Sequence, residues 1–200
     1  MVYKAALFDL GDVLFSTNWK FINQTLEEKV GIPIFPKEGR YEFYFELQKG
    51  VIKPKDYFRL LMQAAGKKVA FDIIYKAYTD AYIESTKLND DVIGLVKLLR
   101  KNLKLIGFST TNIIHEKVNR ERGLFDNFDQ VYLSHRLGLL GKDFINAVVK
   151  FSGFSVKDLV YVDNLQESCD YANELGISVI KFESIKQLKS RMKHYIITKK

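Results

Sequence analysis

From Val92 onward, short runs of β-branched and aromatic residues alternate with helical stretches, and this alternation narrows the possible folds more than any other feature. Asp90–Lys101 predicts a helix, with Val92, Leu95, Val96 and Leu99 on one face, and Leu103–Phe108 predicts a strand. The cycle continues through a helix at Asn112–Arg122, a strand at Gln130–Ser134, a helix at Phe144–Phe151, a strand at Leu159–Val162, a helix at Gln166–Leu175 and a strand at Ser178–Phe182. Tyr3–Phe8 is a further strand of the same character. Strands alternating with helices imply βα units and a parallel sheet covered on both faces, a doubly wound, Rossmann-like α/β core. In such sheets ligands sit beyond the carboxyl ends of the strands, so the residues that finish each run are the candidates for chemistry.

The alternation is absent between Ser16 and Lys87. Trp19–Val30, Gly39–Lys49, Pro54–Ala65 and Val69–Ile83 all read as helices, with Pro54 suited to a helix start and Gly31 and Gly66 to helix ends. The expected organisation is an α/β core from residues 1–15 and 88–200 with a small helical cap inserted at 16–87. That insertion holds 13 of the 27 aromatic residues, which suits a small bundle packed around rings, with an aromatic substrate pocket as the alternative. A single cysteine, Cys169, excludes an internal disulfide framework, and 47% apolar residues exclude a disordered chain. No apolar run reaches a membrane span, and Asp9 and Asp12 interrupt any secretory signal, so a cytoplasmic protein with no membrane partner is expected. The net charge of +7 is concentrated in residues 181–200, which carry +6, leaving the body near neutral. Ile185, Leu188, Met192 and Tyr195 recur there at helical spacing, so the tail predicts an amphipathic helix docked on the core. Nucleic acid is not an expected partner, although the basic face offers a contact for a polyanion.

Three strand ends are polar: Phe8-Asp9, Phe108-Ser109-Thr110 and Val162-Asp163-Asn164. Each alone suits a turn or a helix cap. Together they bring two carboxylates and a hydroxyl to one edge of the sheet, which suits a carboxylate nucleophile, a hard cation on oxygen ligands and displacement at phosphorus. Lys142, after the turn Leu137-Gly138-Leu139-Leu140-Gly141, is the candidate for the positive charge.

With these residues in order, the chain resembles the haloacid dehalogenase (HAD) superfamily. Its opening Asp motif is similar to FDLGDVL at 8–14, its second motif to Ser109, its third to Lys142 and its fourth to Asp163 with Asn164, and the helical insertion falls where that family carries its cap. The Asp-Leu-Gly opening and Ser109-Thr110-Thr111-Asn112 resemble a branch that includes sugar-phosphate phosphatases. The resemblance implies that Asp9 attacks phosphorus to form an aspartyl-phosphate, and that Ser109, Thr110 and Lys142 bind the transferring group. It also implies that Mg²⁺ is held by Asp9, Asp163 and the main-chain carbonyl of Gly11. The implied function is a Mg²⁺-dependent phosphatase acting on a small phosphorylated metabolite. A non-catalytic or regulatory protein on the same scaffold, and a dehalogenase- or phosphonatase-type hydrolase, are the alternatives.

Three departures from the family pattern bear on that function. Gly11 stands where most of the family's phosphatases have an acid that protonates the leaving oxygen, a contribution of about 10²–10⁴-fold. Asp12, one residue on, reads as a loop or capping carboxylate because a one-residue step in an extended segment reverses the side-chain direction. Glu42 and Glu46 of the cap are alternative acids. Asn164 replaces a second acid, for which Glu167 is a substitute, and Gly141-Lys142-Asp143 replaces the usual Lys-Pro. His115, three residues after Asn112, is read as structural or solvent-facing, with the mouth of the site as the alternative.

Overall fold

The computed structural model describes residues 3–35 and 39–196. The chain opens with β1 (Ala5–Asp9), β2 (Phe15–Thr17) and four helices, α1 (Trp19–Val30), α2 (Glu42–Gln48), α3 (Pro54–Ala64) and α4 (Phe71–Ser85). It returns through β3 (Thr86–Leu88) and α5 (Asp90–Leu99) to β4 (Lys104–Ser109), α6 (Ile113–Glu121), β5 (Gln130–Leu133), α7 (Ser134–Leu137) and α8 (Gly141–Ser152). It ends with β6 (Leu159–Asp163), α9 (Gln166–Glu174), β7 (Ser178–Lys181), α10 (Ile185–Arg191) and α11 (Lys193–Ile196).

The main sheet has the order β5-β4-β1-β6-β7. All its pairings are parallel, with Leu7 of β1 opposite Ile106 of β4 and Tyr161 of β6. Strand alternation explains why both faces are covered. Ala6, Phe8, Leu105, Val160 and Val162 enter one apolar cluster with α5 residues, while Ala5, Leu7, Ile106, Leu159 and Tyr161 enter another with Phe144, Val148 and Ala172. β1 sits centrally, so Asp9 emerges between Ser109 on one neighbouring strand and Asp163 on the other.

Each strand expected from the apolar runs of this sheet is present, with its ends within two residues of those expected. The antiparallel pair β2 and β3, which joins Phe15 to Leu88 and Thr17 to Thr86, is not legible from so short a pattern. It brings the two ends of the helical segment side by side. The four helices form around their own cluster, including Ile22, Leu26, Tyr44, Tyr57, Phe58, Tyr78 and Tyr82, which also takes in Ile114 and Val118 of α6. Asn18 caps α1 by accepting the N–H of Phe21 at 3.0 Å. Helix α2 begins at Glu42 rather than Gly39, which adopts a left-handed φ of 71°.

Gly50 also has a left-handed φ, 70°, and a Cβ there would overlap the carbonyl oxygen of His135. The turn after α2 therefore lies directly against α7. Nearby, the Ser134 hydroxyl lies 2.8 Å from the carbonyl oxygen of Gln48 and 2.9 Å from that of Thr111, and accepts the Thr111 N–H at 2.9 Å. The tail forms two short helices broken at Met192 instead of one. Leu188, Met192 and Tyr195 are all buried, and the Tyr195 hydroxyl accepts the N–H of Tyr3 at 2.5 Å. Lys199 and Lys200 lie outside the described residues. Among the described residues no helix is long and apolar enough to cross a membrane.

Candidate active site

A cavity of about 360 Å³ opens where the ends of β1, β4 and β6 meet the helical segment. Asp9, Gly11, Asp12, Ser109, Thr110 and Asp163 line its sheet side. Trp19, Arg40, Tyr44 and Gln48 line the opposite side.

Asp163 is 2% exposed. Its Oδ1 accepts the N–H of Leu165 at 2.8 Å and its Oδ2 accepts the Tyr161 hydroxyl at 2.9 Å. Burial pushes its pKa upward against those hydrogen bonds. The Asp9 carboxyl is held well above the usual range by burial first, then by the charges of Asp163 and Asp12, while the N–H groups of Leu10 and Gly11 act in the opposite sense. Among the described residues no Lys or Arg forms an ion pair with Asp9 or Asp163. Two neighbouring desolvated carboxylates without a counter-charge are an oxygen donor set for a hard cation. Mg²⁺ commonly takes one or two carboxylates and fills its octahedron with waters, so the residues fit it, although no cluster of three or more His, Cys, Asp or Glu is present among the described residues.

Gly11 does not use a left-handed backbone, and a Cβ there would stand 3.7 Å from Asp9 Oδ2 in ordinary contact. Asp12, at φ 54°, is the only non-glycine residue with positive φ among the described residues. The segment after β1 is therefore a turn rather than extended chain, so the alternation argument fails and Asp12 lines the same cavity as Asp9. Burial raises the Asp12 pKa, partly offset by a hydrogen bond from the Thr17 N–H.

Lys142 corrects the sequence reading. Its exposed ammonium lies 3.8 Å from a Glu174 carboxylate oxygen and 4.5 Å from the centre of the Tyr171 ring, and it is not part of the cavity wall. The second position of α8 faces α9, leaving Gly141, Phe144 and Ile145 to line the cavity. Glu167 is likewise exposed and outside the wall, where Asn164, Leu165 and Ser168 stand instead. Neither Glu42 nor Glu46 reaches the cavity, and the α2 face turned toward it carries Tyr44, Phe45 and Gln48.

His115 is buried in the wall, stacked on Tyr82 with ring centres 3.9 Å apart. Asn112 Oδ1 caps α6 by accepting the N–H groups of Ile114 at 2.9 Å and His115 at 3.1 Å. That fixes the amide, so Asn112 Nδ2 donates to His115 Nδ1 at 3.2 Å and the ring donates from Nε2 to the Tyr78 oxygen at 2.8 Å. Burial, reinforced by the charges of His135 and Arg40, lowers the His115 pKa to about 3. At neutral pH the His115 ring is uncharged.

Sequence reasoning did not find Arg40, Trp19 or Tyr44 as cavity residues. The aromatic richness of the insertion was the available signal for the rings, and nothing marked Arg40 among the chain's 31 basic residues.

A parallel five-stranded sheet with acidic residues at the ends of two strands, and helices inserted after the first, defines the haloacid dehalogenase (HAD) fold. The chain has that fold, and solved structures agree. A HAD family enzyme from Bacteroides thetaiotaomicron in a magnesium complex matches with a TM-score of 0.80 at 23% identity, covering 92% of this chain and 94% of that one. The wild-type form of that enzyme with magnesium and inorganic phosphate matches with a TM-score of 0.73 at 25% identity, over 90% and 94% of the two chains. A predicted HAD-like family hydrolase from Porphyromonas gingivalis matches with a TM-score of 0.80 at 19% identity, over 96% and 98%. No family model matches the chain.

Proposed function

We propose that the chain is a Mg²⁺-dependent phosphatase of the HAD type, with residues 16–87 acting as its cap. The observation that carries this reading is the meeting of Asp9 and Asp163 in one cavity beside Ser109, with no Lys or Arg ion-paired to either carboxylate among the described residues. The magnesium and phosphate complexes of the structurally similar enzyme support it. Asp9 and Asp163 would hold the metal, with the Gly11 carbonyl as a further oxygen donor. Bound Mg²⁺ would neutralise the charge of the two carboxylates and of the transferring phosphoryl group.

Asp9 attacks phosphorus through its carboxylate, and an aspartyl-phosphate forms as the ester oxygen leaves. Ser109 and Thr110, at the end of β4, donate hydrogen bonds to the phosphoryl oxygens. Phosphoryl transfer proceeds through a loose transition state with charge spread over those oxygens, so fixed donors do most of the work. Water then releases phosphate and returns Asp9. Lys142 takes no part. Gly11 offers no acid, and Asp12 is the remaining carboxylate in the cavity wall. The substrate is a small phosphorylated metabolite, matched to a cavity of about 360 Å³.

Gly11 and the outward-facing Lys142 favour a second reading, a binding protein on the same scaffold. Phosphate release from a panel of phosphomonoesters with and without Mg²⁺ decides between them. Metal-dependent turnover that disappears in Asp9→Asn supports the phosphatase, while no turnover on any member and no trapping of phosphate on Asp9 supports the binding protein.

A further inference from the structure

The cavity is electrically divided. Its sheet side carries Asp9, Asp12 and Asp163, and Arg40 is the only Lys or Arg in its wall among the described residues. Arg40 is exposed and forms no ion pair with a carboxylate among those residues. Three rings hold its guanidinium: Tyr44 at 5.0 Å, Phe35 at 5.2 Å and Trp19 at 5.5 Å from their centres. These rings brace one another, with Trp19 and Phe35 5.8 Å apart and Phe35 and Tyr44 edge to face at 5.8 Å. Such a nest restrains a long side chain without neutralising it. A guanidinium held this way loses little further rotamer freedom when it binds, and its planar fork matches a pair of oxyanion oxygens. The rings that hold Arg40 come from the start of α1, the loop at Phe35 and α2, whereas Asp9, Asp12 and Asp163 end or follow strands of the sheet, so Arg40 belongs to the wall of the cavity opposite the carboxylates.

We propose that Arg40 is a specificity-determining residue that binds a second anionic group on the leaving-group portion of the substrate, so that the preferred substrates are small phosphomonoesters with a carboxylate or second phosphoryl group at the far end. This rests on the phosphatase reading and narrows its substrate class. The aromatic wall of the same cavity, which includes Tyr82 and neutral His115, accepts the uncharged middle of such a molecule.

Trp19 is the chain's only tryptophan and touches the Arg40 nest, so its fluorescence reports binding there without any need for turnover. The test titrates the full chain, with Mg²⁺, with propylphosphonate, with 3-phosphonopropionate, which adds a far-end carboxylate, and with propane-1,3-bisphosphonate. The readout is the affinity ratio of each two-ended probe to propylphosphonate. The proposal expects a ratio of roughly ten to a hundred for at least one two-ended probe in wild type, as for hydrogen bonds to a charged group, falling toward one in Arg40→Gln. Arg40→Lys, which keeps the charge but loses the planar fork, is expected to fall between. Which probe gains identifies the second group as carboxylate or phosphoryl. Equal affinities in wild type overturn the proposal and leave the phosphatase reading standing. So does a proportional loss for all probes in Arg40→Gln, which would assign Arg40 to the phosphoryl group or to the packing of the helices. No binding of any phosphonate, together with no hydrolysis of phosphomonoesters by wild type, overturns both.

Discussion

Replacing Gly11 with Asp returns a carboxylate to the position at which the resemblance to HAD phosphatases places a leaving-group acid. The structure admits the change. The backbone is not left-handed, and the new Cβ meets Asp9 Oδ2 at 3.7 Å, an ordinary contact that forces no rearrangement. General acid catalysis sets a ceiling of about 10²–10⁴-fold on the gain. Orientation reduces it. The new carboxyl joins Asp9, Asp12 and Asp163 in one cavity, where like charges favour the protonated form that a general acid needs, but no neighbouring group is arranged to fix it against the leaving oxygen. A gain of about 10–100-fold in kcat for alkyl phosphates is therefore expected, with a much smaller gain for aryl phosphates, whose leaving groups need little protonation. The assay compares kcat for glycerol phosphate and p-nitrophenyl phosphate in wild type and Gly11→Asp, with Mg²⁺ affinity measured by calorimetry to verify that the site is intact. A folded variant that binds Mg²⁺ and gains nothing on the alkyl ester would refute the idea that Gly11 marks a missing acid. The role of Asp12 would then be the next question.

Asp163→Ala should weaken Mg²⁺ binding by more than about tenfold in calorimetry, since a magnesium site with two carboxylates loses one of them; unchanged affinity would place the metal elsewhere. Lys142→Met should leave both turnover and stability within about 0.5 kcal/mol of wild type, because its partner Glu174 is as exposed as it is, and a large loss of kcat would return Lys142 to the site. Gly50→Ala should lower stability by about 1–3 kcal/mol in urea unfolding, because a left-handed backbone and the His135 carbonyl both reject a Cβ. For buried Glu116, burial opposes ionisation, but hydrogen bonds from Arg136, Arg120 and His135 outweigh it and hold the pKa below the usual value. Its stabilisation is thus present above the unfolded pKa of about 4.3 and lost as pH falls through the lower folded value, so Glu116→Gln should flatten the acid limb of the urea-midpoint profile.

The sequence determined the sheet on its own, because both faces of a parallel sheet are buried and short β-branched apolar runs such as Leu159–Val162, alternating with helices, suit that setting. It also determined that Asp9, Ser109 and Asp163 would share an edge, since each simply ends a strand of that sheet. Element type followed from local periodicity, and so did the helical character of the insertion.

What tertiary structure decided was direction. Asp12 faces the cavity because one left-handed residue turns the chain after β1, and no side-chain pattern announces that turn. Lys142 faces away because its position on α8 is set by how that helix packs against α9, an orientation that a motif spacing altered by one residue does not specify. Arg40 reaches the cavity because Trp19 from the start of α1, Phe35 from a loop and Tyr44 from α2 close around its guanidinium. That nest draws on parts of the chain whose meeting depends on the packed core beneath them, so it exists only once the whole insertion has folded against the sheet.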